Sequence, residues 1–121
     1  MILILSLNIF ACEYSLNFKI RPGITHDYNE LEAYIKKELV LKSYIEGAGN
    51  IEFDFFLTKA RDIDSPRLTQ ARTVLKLIKS SRLENYTQGL GNPNRVSVGA
   101  LVKEELMLSI KNAISHLPQC K

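Results

Sequence analysis

The stretch from Ile51 to Ser81, IEFDFFLTKARDIDSPRLTQARTVLKLIKSS, decides the fold. Ile51, Phe53, Phe55 and Leu57 alternate with Glu52, Asp54 and Phe56, the period of two that lays one side of a strand on a core. Phe56 interrupts the polar side, so the sequence predicts an internal strand covered on both faces. Charge follows at Lys59, Arg61, Asp62 and Asp64. Ser65-Pro66 is then a helix-start signal, the Ser hydroxyl accepting from backbone amides and the Pro preset for the first turn. Leu68, Ala71, Val74, Leu75 and Ile78 fall on one arc of a helical wheel, with Arg72, Lys76 and Lys79 along its edge, which predicts a helix over 65–81.

On the N-terminal side, Tyr14 to Ile20 alternates Tyr, Leu, Phe and Ile with Ser, Asn and Lys and reads as a strand buried on one face. Arg21-Pro22-Gly23 ends it. Asp27 and Glu30 have capping-box spacing, and Leu31, Ile35 and Leu39 recur every four residues, predicting a first helix over 27–44. On the C-terminal side, Gly89, Gly91 and Pro93 make 84–94 a turn-rich segment, and Arg95 to Val98 follows as a short strand. Val102, Leu106, Ile110, Ala113, Ile114 and Leu117 trace a third amphipathic helix, closed by Pro118. The expected architecture is an α+β two-layer sandwich, one mixed sheet covered by two or three helices.

A chain of 121 residues, 45% hydrophobic and 24% charged, suits one domain and argues against disorder. Its net charge of +3 is spread along the chain, so nucleic acid is not an expected partner. The apolar run Met1 to Ala11 leads into Ile9-Phe10-Ala11-Cys12, which resembles a bacterial lipobox. Two assignments stand open: a lipoprotein signal peptide over 1–11, with Cys12 lipidated at the start of a single domain over 12–121, or an N-terminal core strand. The first gives a lipid anchor on the periplasmic side of the cell envelope, the second a cytoplasmic chain. Cys12 and Cys120 stand near opposite ends, and a disulfide between them is possible but not fixed by spacing.

His26 and His116 are the only histidines, and no ligand spacing for zinc or iron accompanies them. Gly89-Leu90-Gly91 is too short for a dinucleotide fingerprint, and no phosphate loop or nucleophile motif occurs. Neither a cofactor nor a metal is expected, and the sequence points away from an enzyme.

Leu68-Thr69-Gln70-Ala71-Arg72 resembles the Leu-Ser-x-x-Arg element that opens the second helix of OmpA-like peptidoglycan-binding domains. Gln88 to Val98, QGLGNPNRVSV, is similar to the later Gly-x-Gly, Pro and Asn-Arg-Arg-Val segment of that family. The resemblance implies a strand, helix, strand, helix, strand succession. It also implies a ligand pair, Asp62 (or Asp64) and Arg72, that would grip the diaminopimelate of a peptidoglycan stem, a carboxylate for its ammonium and a guanidinium for its carboxylate. The expected function is then a non-catalytic envelope lipoprotein in contact with peptidoglycan or with an envelope protein partner. The alternatives are a small immunity or inhibitor protein that occludes an enzyme, or a cytoplasmic domain of a larger assembly.

Overall fold

Eight residues from Glu13 to Ile20 form β1, the first element of a computed structural model that describes residues 12–24, 26–61, 68–93 and 101–120. After it come α1 (Tyr28–Leu41), β2 (Ile45–Glu46), β3 (Ile51–Arg61), β4 (Thr69–Lys79), β5 (Arg82–Leu90) and α2 (Lys103–Ser115). The strands make one five-stranded sheet in the order β2-β1-β3-β4-β5. β1 runs parallel to β2 and β3, while β3, β4 and β5 form an antiparallel meander. The mixed sheet with its two helices is the two-layer sandwich that the sequence predicts.

The alternation read in β3 holds residue by residue. Phe53 is fully buried and Phe55 is 2% exposed, on the side where Leu16 and Phe18 of β1 and Leu75 and Leu77 of β4 stand opposite them. Tyr14 and Tyr44 meet the Phe53 ring edge-on, with centroids 5.3 and 5.0 Å away. α1 lays Leu31, Ile35 and Leu39 on this core. Its N-cap is Asp27, whose carboxylate accepts from Asn29 N at 3.0 Å and Glu30 N at 3.4 Å, as the capping spacing predicts.

The helix expected over 65–81 is not there: from Thr69 onward the chain is β4. Apolar residues at 71, 75 and 78 satisfy a helical wheel, but Ala71, Thr73, Leu75 and Leu77 satisfy a strand equally and are the ones buried. The β-branched Thr69, Thr73, Val74 and Ile78 tip the balance, since they are stiff in a helix and pack well on a pleat. A two-residue turn then folds the chain back. Ser80 and Ser81 both take left-handed backbone angles, φ 51° and 66°, the pattern of a turn whose twist suits a hairpin. Asn50 pins this turn, its carbonyl accepting from Ser80 N at 3.0 Å and its amide donating to Ser80 Oγ at 3.1 Å. Consequently most of the segment expected to be turn-rich is strand β5, and the strand expected at Arg95 to Val98 lies outside the described residues.

α2 takes the place of the missing second helix. It crosses β4 and β5 at very close range, because the residues beneath it are small: Thr73, Thr87 and Gly89 face Ser109 and Ala113. Thr73 Oγ1 and Ser109 Oγ share a hydrogen bond of 2.8 Å, and Thr87 Oγ1 donates to Ala113 O at 3.0 Å. A Cβ on Gly89 would overlap the backbone of Ser109 and Ala113.

Beyond α2, residues 116–120 run as a strap along the end of α1. Lys42 Nζ donates to the carbonyls of Ser115 and Leu117 at 3.3 and 3.1 Å. Tyr44 Oη donates to Pro118 O at 3.0 Å, and Cys120 N donates to Lys42 O at 2.9 Å. A disulfide between Cys12 and Cys120, their Cα atoms 6.0 Å apart, closes the strap onto the start of β1.

Candidate functional site

Both helices lie on one side of the sheet, so among the described residues the other side is uncovered. Register places four rows across it. Ser15, Glu52, Ile78 and Leu83 form the first, and Asn17, Asp54, Lys76 and Tyr86 the second. Lys19, Phe56, Val74 and Gln88 follow, then Thr58, Arg72 and Leu90. Phe56 is 42% exposed here, which corrects the expectation that β3 is covered on both faces. β3 is internal to the sheet but not to the domain.

The open face is divided along its strands. Asp54 on β3 sits opposite Lys76 on β4, Arg72 stands two rows away opposite Thr58, and Leu83, Tyr86 and Leu90 make the β5 side apolar. A cleft of about 260 Å³ lies between Asn17, Lys19, Asp54, Phe56, Val74 and Lys76. Asp54 Oδ1 and Arg72 Nε are buried atoms without a hydrogen-bond partner in the protein. Buried polar atoms usually have one, and groups left short on an accessible face are ready to take one from a ligand.

Two further clefts lie elsewhere on the domain. A cleft of about 340 Å³ opens under the strap, lined by Tyr44, Ile51, Leu77, Lys79, Glu84 and Pro118. Another of about 250 Å³, at the far end of β1 and β3, is lined by Arg21, Lys59, Arg61 and Thr69. Burial, and then the Glu46 carboxylate, push Tyr14 up to about 12; burial and the Glu38 carboxylate do the same for Tyr34.

Of the residues singled out in the sequence, Arg72 is on the open face, in a strand rather than at the start of a helix. The succession implied by the OmpA-like resemblance therefore differs from the observed one at its second helix. Asp62 and Asp64 lie outside the described residues. Cys12 is bonded to Cys120. The thioether of a lipoprotein uses the same sulfur, so the disulfide and a lipid anchor at Cys12 exclude each other on one molecule. His26 is half-buried, its Nε2 2.6 Å from Leu101 O, and His116 is exposed at the end of α2.

Among the described residues no group of three or more His, Cys, Asp or Glu is placed to hold a metal ion, and no helix is long and apolar enough to cross a membrane. Sequence reasoning missed the open face as a surface. Its signal was present in the alternation of Gln70, Arg72, Val74, Lys76 and Ile78, which a helical wheel scatters and a strand aligns.

No family model matches the chain, and no curated protein matches it. Among solved structures it is similar to a minor lipoprotein from Acinetobacter baumannii, with 10% identity over 87% of this chain and 86% of that one and a TM-score of 0.47.

Proposed function

We propose that this chain is an exported, non-catalytic protein of the bacterial cell envelope that binds its ligand on the open face of the sheet. The observation that carries the address is the Cys12–Cys120 disulfide. Such bonds persist in oxidising compartments and are rare where glutathione and thioredoxin keep thiols reduced. The apolar run Met1 to Ala11, with the composition of a secretory h-region, supports the same address. In the disulfide form Cys12 is a clasp and not a lipid anchor.

Peptidoglycan is the ligand class this reading favours. Arg72 stands on the accessible face with Nε unpartnered, and a guanidinium fork suits the carboxylate of a peptide stem. The face also carries a carboxylate, Asp54, on β3 opposite Lys76 and two rows from Arg72.

Fractionation with thiol labelling tests the address. Protein in the soluble envelope fraction, with no thiol reactive to maleimide before reduction and two after it, is the expected result. An acylated N-terminal fragment with Cys120 free would restore the lipid anchor and break the clasp, and a cytoplasmic location with both thiols free would remove the envelope reading. Sedimentation with purified diaminopimelate-type peptidoglycan tests the ligand. Wild type should sediment and Arg72→Ala should do so less, while retaining its fold; wild type that stays in solution would rule peptidoglycan out.

A further inference from the structure

The two edges of the sheet are finished differently. On the β1 edge, Ile45 N donates to Cys12 O at 3.0 Å and Gly47 N to Tyr14 O at 2.9 Å, and Tyr28 Oη caps Phe18 O at 2.9 Å. Among the described residues β5 is the other edge strand; it is longer than the two-residue β2 and has nine residues with no proline. Its only charges, Arg82 and Glu84, stand at its start, so Asn85 to Leu90 lacks the charges and prolines with which edge strands commonly avoid pairing.

One hydrogen bond fixes which groups this edge presents. Gly91 N donates to Ala71 O at 2.9 Å. In an antiparallel ladder the same phase recurs every second residue. Gly89, Thr87 and Asn85 therefore turn their amides and carbonyls to β4, opposite Thr73, Leu75 and Leu77, and Tyr86, Gln88 and Leu90 turn theirs outward. Asn112 agrees with this phase: its Nδ2 donates to Leu90 O at 2.7 Å, so that outward carbonyl already has one partner and pairs across the edge through its second lone pair.

We infer that this edge joins two copies of the chain, β5 against β5, antiparallel about a two-fold axis at Gln88. In that register the two Gln88 residues exchange both backbone hydrogen bonds. Tyr86 of each copy stands opposite Leu90 of the other, an aromatic–aliphatic cross-strand pair made twice. Tyr86 is 49% and Leu90 43% exposed in the single chain, and both lie on the open face. On the helix side Thr87 stands opposite Gly89, both buried under α2 of their own chain. Neighbouring registers are poorer: an axis at Tyr86 sets Leu90 against Arg82, and one at Thr87 sets it against Glu84. At Gln88 no like charges oppose each other, and the patch is its own complement. The product is a continuous sheet across the two-fold, the closed symmetry of most homodimers, with both open faces on one side.

Sedimentation equilibrium of the full oxidised chain over a concentration series tests this. Wild type should reach a dimer. Gln88→Lys, which sets two ammonium groups opposite each other at the axis without touching the bonds to β4, should raise the dissociation constant by roughly tenfold or more. Phe56→Lys, on the open face but away from the edge, should leave dimerisation within a few-fold of wild type. A wild type that stays monomeric throughout would overturn the inference. So would a dimer that Phe56→Lys dissociates and Gln88→Lys does not, which would place the contact face to face, or one that neither variant weakens.

Discussion

Phe53 is the side chain on which the core turns, touched by two tyrosine rings and by Phe55 at a centroid distance of 6.3 Å. Replacing it with Ala should lower the unfolding free energy by about 3–5 kcal/mol, read from denaturant melts. The importance of Phe53 and Phe55 was legible because alternation over 51–57 admits one buried side, and the Asp27 cap was legible because its signal is local. Tyr14 gives a pH dependence. Its phenol is pushed up to about 12 by burial and then by Glu46, so the fold favours the neutral form. The stability this contributes is complete below the ordinary tyrosine value near 10 and is lost as pH rises toward about 12. Melts over that alkaline window should show stability falling. Tyr14→Phe, which keeps the ring and removes the proton, should flatten the fall relative to wild type.

Elements were legible where one period alone fitted. β1, α1, β3 and α2 each obey a single repeat, and each is where the sequence puts it within a few residues. The segment 65–81 obeys two, and its decisive punctuation, Ser80-Ser81 in left-handed backbone, carries none of the Gly or Asn that usually announces such a turn. The open face went unseen for the same reason, because a surface made of alternate residues exists only once β4 is a strand. Arg72 shows how far a motif match reaches: it marked an accessible cation and gave it the wrong backbone. The seam between α2 and the β4–β5 hairpin depends on Gly89, over which a side chain would collide with the helix backbone. Gly89→Ala should therefore cost about 2–3 kcal/mol by overpacking, as measured by thermal or denaturant melts, although Ala is ordinarily the milder residue in a strand.

For the whole molecule, the disulfide links residues 108 positions apart and so constrains nearly the entire unfolded chain. In the chain-entropy account a loop of that length contributes about 4–5 kcal/mol. Cys120→Ser should lower the unfolding free energy by an amount of that order, and reduction of wild type should reproduce the loss. The strap's hydrogen bonds to Lys42 and Tyr44 then hold residues 116–120 without covalent help. The same clasp decides how the domain bears load. Pulled at residues 12 and 120, an oxidised molecule has a gauge length of 6.0 Å between Cα atoms, and tension runs through one sulfur–sulfur bond past a sheet that feels none of it. Once reduced, the same pull would fall first on the strap's hydrogen bonds to Lys42 and Tyr44, so the clasp separates mechanical strength from folding stability in a protein whose proposed place is the stressed layer of the cell.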